Sequence, residues 1–129
     1  MNERRMRSPL SRARGLGSAR EGVEHWWIQR LTAMVLIPLT LWLVASLIAF
    51  TGSDYDTVIT WLKTPFVTIL MVLLLIALFH HMWLGLQVVV EDYIHSDWVK
   101  IPTVVVIHLG CFALAVGGIF ATLRIAFDR

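Results

Sequence analysis

The sequence is short of the residues that most catalytic and cross-linked folds need. It holds one cysteine, Cys111, so no disulfide can close within the chain. Charged residues are only 16% of the total, well under the roughly 25% usual for soluble domains. No internal repeat, glycine-rich phosphate loop, Cys/His zinc spacing or Ser-His-Asp set occurs. No two carboxylates fall inside the apolar runs, so a general acid–base pair within them is excluded. Cys111 itself lies in an apolar run and reads as a small packing residue.

What is present in quantity is uninterrupted apolar sequence, with 57% hydrophobic residues overall. Three runs, at about 31–50, 66–90 and 101–127, each match the roughly 20 residues that cross a bilayer. A helix in a soluble core is seldom apolar on every side for so long. The expected fold is therefore an all-α membrane protein with three transmembrane helices at 21–129, preceded by a mobile basic arm at 1–20.

Positive charge is concentrated at one end. Arg4, Arg5, Arg7, Arg12, Arg14, Arg20 and Arg30 face only Glu3, Glu21 and Glu24 over the same stretch. Nucleic-acid binding explains such a cluster poorly in a chain that is mostly membrane. The positive-inside rule explains it well and puts the N-terminus inside. The opening lacks the apolar segment and small-residue cleavage site of a signal peptide, but its Arg- and Ser-rich character resembles a mitochondrial transit peptide. The arm is expected to lie on anionic headgroups or on a soluble partner, or to act only as a topology signal.

Trp26 and Trp27 suit the headgroup layer just before the first span. Arg30 either snorkels to that interface or, with His25, faces an acid group that a guanidinium holds in bidentate fashion. Pro38 lies inside the first span. Asp54, Tyr55, Asp56, Trp61 and Lys63 form a short exposed connection. Pro65 opens the second helix, in the first turn, where a missing N–H does no harm. Pro102 begins the third, whose Ala113, Gly117 and Ala121 make a small-residue stripe for close helix approach.

The second span carries the chemistry. His80 and His81 sit inside a run that should carry no ionisable group, and such a residue points to function. On one unbroken helix His81, Gly85, Val88 and Asp92 share a face, with His81 and Asp92 about 16 Å apart along the axis. A neutral imidazole in a helical bundle suits a metal, and haem iron is a common recipient. Gly85, one turn on, leaves room for a flat macrocycle. On spacing alone His80 is as eligible as His81, and a histidine satisfied within the core is the competing account. His80 shares its face with Leu84, Gln87 and Glu91, which reads as a polar packing face. His108 in the third span reads as a neutral histidine bonded to a neighbouring helix. Three helices enclose a haem poorly and offer one well-placed ligand, so a second membrane chain is expected to complete the site. At the helix end, Tyr93 can donate its phenol proton to a carbonyl oxygen such as a quinone's, with Asp92 beside it; an ordinary interfacial tyrosine is the plainer reading.

The pattern His81-x-x-x-Gly85-x-Gln87-x-x-x-x-Asp92-Tyr93, preceded by Arg30 at the head of the first span, resembles the hydrophobic membrane anchors (D subunits) of succinate dehydrogenase. The run from Gly85 to His95 is similar to the alphaproteobacterial and mitochondrial branch. The resemblance extends from about Gly17 to the C-terminus and is most specific in the second helix. It implies pairing with a three-span cytochrome b anchor subunit, one haem b shared between them, and docking of iron–sulfur and flavoprotein subunits on the inner side. By the same resemblance His81 is the axial haem ligand, Arg30 and His25 lie near the haem propionates or the quinone pocket, and Tyr93 with Asp92 meets ubiquinone. Electrons from succinate would reach ubiquinone at the membrane surface, in a bacterial inner membrane or a mitochondrial inner membrane. The acidic inner loop fits a docked partner better than it fits a topology signal. Rival readings are a fumarate reductase anchor without haem and a structural or proton-relay subunit of another membrane complex.

Overall fold

The structure is a computed structural model that describes residues 20–128, with side chains from Gly22 onward. The basic arm expected at 1–20 lies almost wholly outside the described residues. Four helices follow in order: α1 (Arg20–Ala49), α2 (Tyr55–Leu62), α3 (Pro65–Tyr93) and α4 (Asp97–Phe127). No strand occurs among the described residues. Three helices are long and apolar enough to cross a membrane, over Gly22–Ala49, Pro65–Tyr93 and Asp97–Phe127. At 1.5 Å per residue each is about 42–47 Å long, against a hydrocarbon core of about 30 Å. Each therefore carries polar turns beyond the lipid.

That excess explains why the helices start earlier than the apolar runs. α1 is already helical at Arg20, the first described residue, well before position 31, because nothing in the segment that follows Gly22 breaks the backbone ladder. α4 begins at Asp97, not at Pro102 as the sequence suggests. Ser96 takes the N-cap position, Asp97 places a carboxylate in the first turn, and Pro102 sits inside the helix. So close to the start, the proline sacrifices one early backbone bond and the helix continues. Pro65 does occupy the first turn of α3, with Thr64 as N-cap. Pro38 lies inside α1, which stays one helix.

The connection expected at 54–63 is itself a helix. α2 is half-buried through Val58, Ile59, Trp61 and Leu62. Trp61 sits 4.8 Å from Phe50 and 5.9 Å from Trp42 between ring centroids, so α2 folds back under the end of α1. Gly52, at φ 84°, turns the chain between them in a conformation that a side chain would resist.

α3 is the central element. It packs against α1 on one side and α4 on the other, while the backbones of α1 and α4 do not approach each other closely. Its partners run antiparallel to it: Thr32 meets His81 and Gln29 meets Gly85 on α1, and Gly118 of α4 meets Leu75. The core is small, with Leu39, Val67, Leu74, Ala77, Leu84, Val90 and Cys111 buried. Thr68, the buried polar residue, donates its hydroxyl toward the carbonyls of Leu62 and Thr64 at 3.1 and 3.2 Å. Most large apolar side chains point outward, as lipid or a partner chain requires and water would not tolerate.

The close approach of α3 and α4 uses different small residues from those expected. Ala113, Gly117 and Ala121 all face outward. Gly118 is the glycine at the contact, where a Cβ would come within 3.2 Å of Leu75, while Gly117 has open space around it. The neighbouring inward positions are Cys111, Ala115 and Thr122.

Candidate functional site

All five histidines, His25, His80, His81, His95 and His108, lie in the half of the molecule that holds the start of α1 and the end of α3. Antiparallel packing brings them there: the first part of α1, the last part of α3 and the first part of α4 share one end. The opposite half holds α2 and no histidine.

α1 contributes His25, Gln29 and Thr32. Steps of four and three put them on one face of the helix, and that face turns toward α3. α3 answers with His81 and Gly85. The Nδ1 of His81 lies 3.0 Å from the hydroxyl oxygen of Thr32. A Cβ built on Gly85 would stand 3.6 Å from Gln29 Nε2, an ordinary contact, so the glycine keeps the wall low but is not forced by α1. Among the described residues the other nitrogen of His81, Nε2, has no hydrogen-bond partner.

Beyond His81 toward the surface, the two helices border a cleft of about 680 Å³. Its walls include His25, Gln29, Gly85, Gln87, Val88 and Glu91. Two of its lining residues carry a buried atom, His25 Nε2 and Gln29 Oε1, with no hydrogen-bond partner among the described residues. Buried polar atoms are rarely left so, and each costs about 1–3 kcal/mol when it is. Together they are a donor or acceptor ring and an amide able to meet a polar group that enters the cleft. Gln87 Nε2 donates to Glu91 Oε1 at 2.8 Å along the rim.

The face expected to run His81, Gly85, Val88, Asp92 is thus present for its first three members. Asp92 is exposed and does not line the cleft; Glu91 does. The supposed packing face of His80 divides. Leu84 is buried at 2% exposure, Gln87 and Glu91 turn to the cleft, and His80 turns to the opposite side of α3. There a mainly apolar groove of about 310 Å³ lies between α3 and α4, with His80, Trp83, His108 and Cys111 among its walls. Trp83 meets the edge of His108 at 4.3 Å and of His80 at 5.6 Å. His108 makes this ring contact in place of the interhelical hydrogen bond expected of it.

Arg30 is exposed, with its guanidinium 4.5 Å above the Trp26 ring. Among the described residues it forms no ion pair. Trp26 borders the cleft, so Arg30 stands at the cleft's edge, one position around the helix from Gln29. Tyr93 is 80% exposed in the last turn of α3, and Asp92 beside it is exposed too. Twelve residues separate Tyr93 from His81, about 18 Å along the axis. The fold thus puts His25 in the cleft wall, His81 one turn below Gly85 of that wall, and Arg30 beside Trp26 at its edge, while Asp92 and Tyr93 are exposed at the end of α3 outside its lining.

Sequence reading did not single out Gln29 or Thr32. Their signal was available: polar residues at 25, 29 and 32 recur at helical spacing on a helix that is otherwise apolar beyond Arg30.

Residues 4–121 match the family model described as succinate dehydrogenase/fumarate reductase transmembrane subunit. A succinate dehydrogenase hydrophobic membrane anchor subunit of Rickettsia bellii is 35% identical over 103 residues, covering 80% of this chain and 82% of that one. The succinate dehydrogenase membrane anchor subunit of Reclinomonas americana is 30% identical, covering 70% of this chain and 78% of its own. The hydrophobic membrane anchor subunit of Paracoccus denitrificans is 28% identical over 91% of this chain and 90% of its own. The three apolar helices and these matches lead to one conclusion: the chain belongs to the succinate dehydrogenase/fumarate reductase transmembrane subunit family, as a membrane anchor subunit of succinate dehydrogenase.

Proposed function

We propose that this anchor co-ligates a haem b and helps form the ubiquinone site of a succinate:ubiquinone oxidoreductase. Its partner in the membrane is a second three-span anchor, the cytochrome b subunit. The iron–sulfur and flavoprotein subunits dock on the side bearing the N-terminal arginines, which is the inner side. The membrane is a bacterial inner membrane, a reading supported by relatives in Rickettsia and Paracoccus.

The observation that carries this reading is the state of His81. One ring nitrogen is engaged by Thr32 and the other has no partner among the described residues, one turn along α3 from Gly85, which borders a cleft whose lining residues His25 and Gln29 carry two orphaned polar atoms. An axial ligand needs that arrangement, with one nitrogen held and the other available to iron. His80 has no comparable anchor; its ring rests edge-on against Trp83. The residues therefore fit a b-type haem, which needs no covalent attachment. When bound, the haem supplies a one-electron carrier within the membrane.

The rest falls to side chains of this chain and its partner. His25 Nε2, once satisfied, donates to a propionate or to the quinone. Arg30 lies near enough to the cleft to leave the Trp26 face and hold a carboxylate with two bonds. Tyr93 presents its phenol at the membrane surface and donates to a quinone carbonyl, with Asp92 next to it to orient the hydroxyl or pass protons. The second axial ligand comes from the partner.

The test is the reduced-minus-oxidised spectrum of the assembled complex. His81→Ala is expected to lose or severely weaken the haem signal and His80→Ala to keep it. The opposite pattern moves the ligand to His80. Haem absent from the unmodified complex favours the fumarate reductase type, and haem untouched by either change favours a structural or proton-relay subunit.

A further inference from the structure

The position of Thr32 decides which tautomer His81 adopts. Its hydroxyl oxygen has three polar neighbours at hydrogen-bonding distance: the carbonyl oxygens of Ile28 at 2.9 Å and Gln29 at 3.0 Å, and His81 Nδ1 at 3.0 Å. A hydroxyl has one proton and two lone pairs. Both carbonyls only accept. Were the proton directed at Nδ1, the hydroxyl oxygen would face two carbonyl oxygens at 2.9 and 3.0 Å with no proton between them, and their lone pairs would repel. With the proton shared toward the carbonyls, the lone pairs are left for His81, and Nδ1 must then be the donor. The hydroxyl back-bond inside α1 thus makes Thr32 an acceptor aimed at α3.

We infer that Thr32 is a positioning residue for the proposed haem ligand: it accepts a hydrogen bond from Nδ1–H of His81, which holds the neutral ring with the Nε2 lone pair free for iron and raises the basicity of that nitrogen. The inference rests on His81 being the axial ligand. Its consequence is electronic as well as geometric. An Nδ1–H that donates a hydrogen bond gives the ring partial imidazolate character, so it donates more strongly at Nε2 and favours the ferric state. The chain holds this control on α1, one helix away from the ligand it governs.

The experiment uses the whole membrane complex with haem content, redox titration of the haem, and electron paramagnetic resonance of its oxidised form. Thr32→Val keeps the branched shape but removes the acceptor. It is expected to shift the haem midpoint potential upward and to alter the low-spin g values, with haem content largely kept. Thr32→Ser restores the acceptor and is expected to return both towards the unmodified values. A merely structural role would give Thr32→Ser and Thr32→Val similar defects and would overturn the inference. So would an unchanged potential and unchanged g values in Thr32→Val. If His81→Ala retains haem, the ligand assignment itself fails. If His81→Ala loses haem while Thr32→Val is silent, only the role of Thr32 fails. Should Thr32→Val not assemble, solid-state NMR of the reduced, ¹⁵N-histidine-labelled unmodified complex decides. A protonated Nδ1 at His81, close to a threonine side chain, supports the inference, and a bare Nδ1 refutes it.

Discussion

A hydroxyl on a lipid-facing helix must find a partner for its proton, and this chain solves the problem repeatedly in one way. Thr32, Thr40, Ser46 and Thr122 each donate to the carbonyl of the residue four positions earlier, at 2.6–2.9 Å. Among them Thr32 alone also meets another helix, at His81. Elsewhere polar groups remain unsatisfied: Trp83 Nε1, His25 Nε2 and Gln29 Oε1 are buried without partners. The last two border the proposed site, and a group that reaches them gains two bonds the chain alone does not make. At the rim, Tyr93 offers one phenol proton. Tyr93→Phe removes a single neutral hydrogen bond, worth about 0.5–1.5 kcal/mol, or roughly a two- to tenfold change. Quinone reduction by the complex is expected to fall by about that factor, while succinate oxidation with a soluble artificial acceptor stays near its unmodified rate. Equal losses in the two assays would remove the quinone role from Tyr93.

Among the helices, α3 sets the arrangement, because both other spans bring their backbones close to it and not to each other. Its contact with α4 depends on Gly118. Gly118→Val drives new methyl groups into Leu75, and overpacking of this kind costs about 1–3 kcal/mol. Gly117→Ala enters open space inside the helix and is expected to raise stability by about 0.5–1 kcal/mol. Thermal unfolding of the detergent-solubilised complex compares the two. A larger loss at Gly117 would mean that a partner covers the outward row of Ala113, Gly117 and Ala121. α2 depends on Trp61, which stacks on Phe50 and Trp42. Trp61→Ala removes a large aromatic from that cluster. It should loosen the turn between α1 and α3 and raise proteolysis near Gly52, without altering the haem spectrum, since α2 lies at the other end of the bundle from His81.

As a whole molecule the chain is an open layer of three long helices rather than a closed bundle. Its buried core is small and its exposed apolar surface is large. The proposed iron ligand supplies one axial position, and among the described residues the cleft beside it is bounded by α1 and α3 alone. Expressed without its partners, the chain is therefore expected to bind haem far below one per chain, with the Soret absorbance of the purified chain as the measure. Stoichiometric haem in the isolated chain would contradict a shared site.

Three spans, their approximate limits and their order were legible in the residues, because about 20 apolar residues in a row have few other destinations than a bilayer. Hydropathy could not show that α1 is already helical at Arg20 or that α4 starts at Asp97, since a helix satisfies its own backbone and does not stop where the lipid does. Nor could it show α2, whose eight residues are too short to announce themselves by period. The pair His80-His81 was legible as out of place in an apolar span, and the residues alone could not tell which ring would face Thr32 and which Trp83. The choice between Gly117 and Gly118 was equally hidden, because adjacent residues differ by about 100° around a helix and only the neighbour decides which direction is inward.

The order of apolar and polar residues by itself determined that this chain crosses a membrane three times and carries histidines where lipid should allow none. Both follow from local transfer energies, which depend on each residue's own chemistry. Packing decided the rest: which face of α3 meets Thr32, which glycine touches Leu75, and that Glu91 rather than Asp92 borders the cleft. Those outcomes depend on the relative rotation of helices, which is set by many weak contacts acting together and is written in no single segment.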